Sequence, residues 1–276
     1  MLTIEAYHLV SGQYQTTPVL EKRMPDKLRF LTLSPHSGLY VPKIAVPFLH
    51  LEDETITQEL FNDADPYTDM FDFTSLGGLS INARIHRAFG DLNRESQDTS
   101  ENGFIREKSF QGIPLLKKPY DSEVTQQLTH YHQFFRETVQ QEIQQFSRPL
   151  FILHLHSMDA VTPSSYGSST GQERPDICLA VGNPGTYCRP TLLPFLEEGF
   201  SRAFADLTYS VKVNDPFKGN NAALMLEFGK PAEGLDSVEL EINKRIYLSG
   251  QALAQQKTAL LETRLATAIE SLLHHF

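Results

Sequence analysis

Directly after Pro149 the chain runs Leu150-Phe151-Ile152-Leu153 and then His154-Leu155-His156-Ser157. A continuous apolar run of this kind suits a strand buried on both faces, as in the interior of a parallel or mixed sheet. Such a strand needs covering layers above and below, so this segment constrains the fold more than any other. Alternate side chains on a strand share a face, which puts His154 and His156 on one side and Leu153 and Leu155 on the other. The imidazoles stand at the carboxyl end of the strand, where ligands bind in open α/β sheets. A buried histidine bonded to a neighbouring loop would produce the same pattern.

Strand-like and helix-like stretches alternate along the chain with no internal repeat, which argues for an α/β fold in one domain spanning residues 1–276. Leu28 to Leu33 reads as a short strand ended by Ser34-Pro35-His36-Ser37-Gly38, and Arg84 to Gly90 as a second. Ser237 to Leu248 reads as a third, with Val238, Leu240 and Ile242 on one face and Glu239, Glu241 and Asn243 on the other. Val124, Leu128, Tyr131, Phe135, Val139, Ile143 and Phe146 recur at helical spacing between Glu123 and Phe146. A closing helix spans Gln251 to His275, with Leu253, Leu260, Leu261, Leu265, Ile269 and Leu272 as its apolar stripe. Asp98–Lys118 and Asp159–Arg174 read as irregular, and loops of this length are often functional.

Charge narrows the partners. With 24 Lys plus Arg against 34 Asp plus Glu, the net charge of −10 offers no basic field for nucleic acid or an anionic membrane surface. Met1 to Gly12 lacks a basic n-region and is broken by Glu5, His8 and Ser11, so it does not read as a signal peptide. No apolar run is long enough to span a bilayer. Cys178 and Cys188 are too few for a disulfide framework and suit structural thiols in a reducing cytoplasm. A soluble cytoplasmic protein is expected.

The chemistry-bearing residues cluster at the expected strand ends. His36 sits in a tight turn after the first strand, where its ring can enter the same crevice as His156. Two such histidines need one carboxylate to make an open catalytic zinc site of three protein ligands plus water. Spacing alone does not name it among Asp63-Ala64-Asp65-Pro66-Tyr67-Thr68-Asp69-Met70-Phe71-Asp72. Glu241, on the polar face of an otherwise apolar strand, suits a base that takes a proton from water. Glu239 shares that face, and an edge strand would show the same alternation without catalysis. Arg87, Arg94 and Lys218 are candidate grips for an anionic substrate or ordinary surface cations.

Taken together, several segments resemble the N-formylglutamate amidohydrolase family. They are Pro35-His36-Ser37-Gly38, Thr68-Asp69, Arg87 through Asp91-Leu92-Asn93-Arg94, Tyr131-His132, His156-Ser157, Phe217-Lys218-Gly219 and Val238 through Tyr247. Asp-Leu-Asn-Arg and Glu-Ile-Asn-Lys-Arg-Ile-Tyr are the most specific, and the order of the set counts for more than any member. The resemblance implies a zinc-carboxypeptidase-like three-layer α/β/α fold with a mixed, largely parallel sheet. It implies Zn2+ held by His36, Asp69 and His156, with Asp72 in reserve for Asp69, and Glu241 as general base. Asn93 and Arg94 would hold a substrate carboxylate, with Arg87 and Lys218 alongside. His154 is expected behind the ligands rather than among them, and His132, on the long helix, either packs or contacts the site.

Two departures bear on specificity. Leu39 stands where the carboxypeptidases have a ligand Glu, so the acidic ligand comes from elsewhere. From Asn220 to Phe228 there is no basic residue, where many relatives have an arginine. The expected activity is hydrolysis of N-formyl-L-glutamate to formate and glutamate. The alternatives are a related zinc deacylase or peptidase for another N-acyl amino acid, and a non-catalytic binder of an acidic metabolite.

Overall fold

The computed structural model describes residues 1–164 and 169–276. The chain opens with β1 (Thr3–His8) and β2 (Gln13–Pro18), then β3 (Leu20–Arg23), β4 (Phe30–Ser34) and β5 (Tyr40–Pro42). Helix α1 (Glu54–Asp63) precedes β6 (Gly78–Ala83), and a long irregular stretch leads to α2 (Ser122–Ile143). Next come β7 (Leu150–Met158), β8 (Ile177–Ala180), α3 (Leu193–Ala203), β9 (Val211–Val213), α4 (Ala223–Phe228) and β10 (Leu235–Asn243). The hairpin β11 (Leu248–Ser249) and β12 (Ala252–Leu253) and helix α5 (Gln255–Leu273) close the chain.

The central sheet has seven strands in the order β3-β6-β4-β7-β10-β8-β9. Its pairings are parallel from β6 through β4 and β7 to β10 and again between β8 and β9, and antiparallel at β3-β6 and β10-β8. A second sheet, β2-β1-β5, is wholly antiparallel. It packs with Ile56 and Leu60 of α1, Val124 and Leu128 of α2, and the irregular Asp98–Lys118 segment.

Both faces of the central sheet are covered, as the apolar run of β7 requires. Phe151, Leu153 and Leu155 pack with Leu196 and Phe200 of α3 and Leu261, Leu265, Ile269 and Leu272 of α5. Leu150 and Ile152 face the opposite way, toward Phe135, Val139 and Ile143 of α2 and Leu224 and Phe228 of α4. Three layers result. Asp121 starts α2 by accepting from the Val124 amide at 3.0 Å, and the predicted apolar stripe of that helix is buried.

Several boundaries depart from the sequence reading. The second strand is Gly78–Ala83, and Arg84–Gly90, read as a strand, is irregular apart from isolated bridges at Ile85 and Phe89. Burial on both faces leaves β6 without the alternation that marks a half-exposed strand. β10 stops at Asn243, whose side chain accepts from Arg245 N at 3.1 Å and starts a 3-10 turn over Lys244–Ile246. It is an interior strand between β7 and β8, so its alternating carboxylates do not mark an edge. In the last helix Leu260 is exposed while its neighbour Leu261 is buried, since successive residues lie about 100° apart around the axis. Leu253 belongs to β12 rather than to that stripe. Asp159–Arg174, read as irregular, is described except for residues 165–168.

His86, fully buried, ties the Arg84–Gly90 segment to α1. Its Nε2 lies 2.6 Å from the Leu60 carbonyl and its Nδ1 accepts from Ala88 N at 3.1 Å, a pattern only the neutral ring satisfies. Burial pushes its pKa down to about 3, with the Arg87 charge adding and the Leu60 bond opposing. The unfolded ring titrates near 6.5, so between those values the unfolded chain binds the extra proton. Stability from this group is complete above about pH 6.5 and is lost toward pH 3, at up to about 1.4 kcal/mol per pH unit. Unfolding free energy measured from pH 7 to pH 4.5 should therefore fall less steeply, by about one proton, in His86→Gln than in the wild type. Equal slopes would place the acid sensitivity elsewhere.

Candidate active site

The loop after β4 is held by its own small residues. Ser37 Oγ donates to the carbonyls of Ser34 at 3.1 Å and Ala83 at 2.9 Å, tying the ends of β4 and β6 together. Gly38 packs so closely on the next loop that a Cβ would lie 2.3 Å from the Ile85 carbonyl oxygen. His36, between these anchors, is 2% exposed and points its Nε2 at Asp91 Oδ1, 2.7 Å away.

β7 and β10 pair in parallel from Leu235↔Leu150 to Asn243↔Met158, which sets Glu239 beside His154 and Glu241 beside His156. The His156 ring meets that of His36 edge-on, with centroids 4.7 Å apart. Between them comes Asp65, just past the end of α1. Its Oδ2 lies 3.0 Å from His156 Nδ1 and 3.3 Å from His36 Nδ1, while its Oδ1 accepts from Ser157 Oγ at 3.1 Å. Asp65 N also donates to the His36 carbonyl at 2.9 Å, so the two loops are joined through the backbone.

Other long-range bonds fix the Asp65 segment. Tyr247 OH donates to the Pro66 carbonyl at 3.0 Å, and Lys244 Nζ donates to the Asn62 carbonyl and to Asp159 Oδ1. The Lys-Arg-Ile-Tyr stretch after β10 thus holds the segment that carries Asp65.

The ligand atoms of His36, Asp65 and His156 all lie within 4.8 Å of one another, as do those of His156, Glu239 and Glu241. His36 Nδ1 is buried without a hydrogen-bond partner, although it faces a carboxylate. Two imidazole nitrogens and one carboxylate oxygen form the donor set of a catalytic zinc site. The carboxylate behind His36 is the usual support for such a ligand. The residues present therefore fit a divalent cation.

Charge is buried here in alternating sign. Burial alone would raise Asp65, but the His156 and His36 imidazoles beside it hold it well below the usual carboxylate range. Burial would lower His156, yet Glu239, Asp65 and Glu241 push it up to about 9. Asp91, also opposed by burial, is held low by Arg87 and His36. Glu241 goes the other way: burial pushes it well above the usual range, His156 opposes, and Glu239 and Asp65 add to the rise. One of its oxygens, Oε2, has no hydrogen-bond partner.

A cavity of about 320 Å3 opens over this cluster, a size suited to a small molecule. His36, His156, Glu241, Arg87, Asn93, Arg94 and Lys218 all line it, so the structure brings these predicted residues together. Asp69 and Asp72 are not part of this lining. Tyr67, at φ 64°, turns the chain into a 3-10 turn, and Asp69 Oδ2 there lies 3.5 Å from Arg84 Nη1. Asp72 is exposed and accepts from Thr74 N at 2.9 Å. The geometry thus corrects the expected acid: Asp65, not Asp69, faces both imidazoles.

The grips are placed differently from one another. Arg94 donates to the carbonyls of Asn93, Asn102 and Asn221, and Arg87 donates twice to Asp91 Oδ2, at 2.7 and 3.1 Å. Lys218 is an exposed cation on the cavity wall. Arg174, which the sequence reading did not select, is buried on the same wall with its guanidinium 5.0 Å from the Phe217 ring. His154 lies 3.3 Å from Ser237 Oγ, and burial, aided by His156, pushes it down to about 3. His132 Nε2 lies 2.9 Å from the Arg94 carbonyl, and the ring is not part of the cavity lining. Asp65 carried one sequence signal, its place before Pro66, which favours an extended backbone just past a helix.

The family model described as N-formylglutamate amidohydrolase matches residues 28–248. No curated protein is similar enough to match the chain. Among solved structures, an N-formylglutamate amidohydrolase from Ralstonia eutropha aligns with a TM-score of 0.73 at 21% identity, over 92% of this chain and 95% of its own. A gene product of Agrobacterium tumefaciens aligns with a TM-score of 0.69 at 16% identity, over 92% of this chain and 94% of its own. At these identities the two structures speak for the fold.

Proposed function

The chain belongs to the N-formylglutamate amidohydrolase family and is an amidohydrolase, and from that premise we propose that it is a zinc-dependent enzyme cleaving a small anionic N-acyl amino acid, with N-formyl-L-glutamate as the substrate. The observation that carries this reading is the convergence of His36, Asp65 and His156 beneath a cavity walled by cations. Those three residues would hold the metal, which when bound supplies Lewis acidity toward an acyl carbonyl and lowers the pKa of water.

Glu241 is the proton carrier. Buried on β10 beside His156, it accepts a proton from the attacking water and returns it to the departing amine. Its raised proton affinity suits that task, and a cation beside it would oppose the rise. The products from N-formyl-L-glutamate are formate and glutamate. Lys218 and Arg174 supply positive charge at the cavity wall for the anionic end of the substrate, within a chain whose net charge is −10. Arg87 and Arg94 act there chiefly by holding Asp91 and the loop carbonyls. The buried free thiols Cys178 and Cys188 support a cytoplasmic setting. Among the described residues no helix is long and apolar enough to cross a membrane.

Two measurements test this reading. Metal analysis after zinc loading should find one equivalent in the wild type and in Asp69→Ala, and a loss in Asp65→Ala. Zinc retained by Asp65→Ala and lost from Asp69→Ala would restore the acid expected from the sequence. A panel of N-formyl, N-acetyl and dipeptide amides should show turnover of N-formyl-L-glutamate. Glu241→Gln should keep its zinc while kcat falls about 10²- to 10⁴-fold. Turnover of a different amide alone would move the specificity to another N-acyl amino acid, and full activity in Glu241→Gln would remove it as the base.

A further inference from the structure

Each imidazole of the site faces a carboxylate at both ring nitrogens, with one hydrogen bond per ring: His36 Nε2 is bonded to Asp91 and His156 Nδ1 to Asp65, while His36 Nδ1 and His156 Nε2 make none. His36 turns Nδ1 toward Asp65 and Nε2 toward Asp91. His156 turns Nδ1 toward Asp65 and Nε2 toward Glu239, whose Oε1 lies 3.2 Å away. Each ring therefore has a buried carboxylate behind it, Asp91 at 0% exposure and Glu239 at 6%. A ligating imidazole depends on such a partner for its tautomer and orientation.

Both carboxylates are in turn held by one residue. The Asn93 backbone N–H donates to Asp91 Oδ1 at 2.9 Å, and its side-chain Nδ2 donates to Glu239 Oε1 at 3.3 Å. Asn93 Oδ1 accepts from Leu224 N at 3.1 Å, which fixes the amide's orientation against α4. The asparagine is buried, 3% exposed, and bonded at both ends of its amide.

We propose that Glu239 is a positioning residue that orients His156, and that Asn93 is the clamp setting both carboxylates behind the two imidazoles rather than a grip on substrate. The proposal rests on the metal-dependent reading above. It separates two glutamates that the alternation of β10 leaves equivalent. Glu241 Oε2 is unpartnered and available for proton transfer, whereas Glu239 is engaged by Asn93 and faces His156.

The test pairs zinc affinity, measured by competition with a chromophoric chelator, with steady-state kinetics at saturating zinc. Glu239→Gln should weaken zinc binding about 10- to 100-fold and alter the visible spectrum of the cobalt(II)-loaded protein, with kcat largely restored at saturating zinc. Glu241→Gln should do the reverse, keeping affinity and losing kcat. Asn93→Ala, which keeps the backbone bond to Asp91 and removes the side-chain bond to Glu239, should weaken zinc binding with little change in KM. Unchanged zinc affinity in Glu239→Gln with kcat lost would make Glu239 the proton carrier and overturn the proposal. So would two equivalents of zinc in the wild type, or an Asn93→Ala variant in which KM alone rises. A wild type that takes up no zinc would instead overturn the metal-dependent reading, and this one with it.

Discussion

The nine-residue parallel register of β7 and β10 is the constraint on which the site depends. It sets His154 and His156 beside Glu239 and Glu241 on one face, while Leu153, Leu155, Val238 and Leu240 pack on the other. A slip of one residue would exchange the faces, driving carboxylates into the α3–α5 layer and leucines into the cavity. Buried charge of this density is tolerable only in pairs, because an ionised group taken from water must recover its solvation from a partner. The alternation of imidazole and carboxylate from Asp91 through His36, Asp65 and His156 to Glu239 is that recovery.

The same constraint explains why so much of the surrounding chain is devoted to holding loops. His36, Asp65 and Asp91 each lie outside regular strands and helices, where backbone freedom would blur an arrangement that needs precision. The first two are held by bonds that reach across the chain, and Asp91 by bonds within its own loop. Ser37 and Gly38 seat the first loop on β6 and the Arg84–Ile85 backbone, Tyr247 and Lys244 seat the second, and Arg87 with Asn93 seats the third. Residues that look like substrate grips by charge are thereby absorbed into the scaffold. Lys218 and Arg174, also on the cavity wall, come from other segments.

How far the sequence could be read depended on whether a signal was local. The run Leu150–Leu153 marked an interior strand, and the stripes of α2 and α5 marked helices, because burial acts on one face or both with a fixed period. That His36, His156 and Glu241 would meet at one crevice was legible because a strand end has a known place relative to its sheet. β6 was missed and Arg84–Gly90 misread as a strand, since a strand buried on both faces with Gly, Ser and Asn in it shows no alternation.

The identity of the acid between the imidazoles was not a local matter. Asp63, Asp65, Asp69 and Asp72 lie within one short stretch, and their spacing gives no preference. The choice was made by the end of α1, the left-handed turn at Tyr67 and the bonds from His36 and Tyr247. The role of Asn93 is of the same kind, set by where Glu239 and the start of α4 come to lie. The sequence by itself determined the layered α/β plan and the strand ends that carry the histidines, because side-chain periodicity is a property of neighbouring residues. Only the tertiary structure decided which carboxylate faces which ring, because that depends on contacts between segments far apart in the chain.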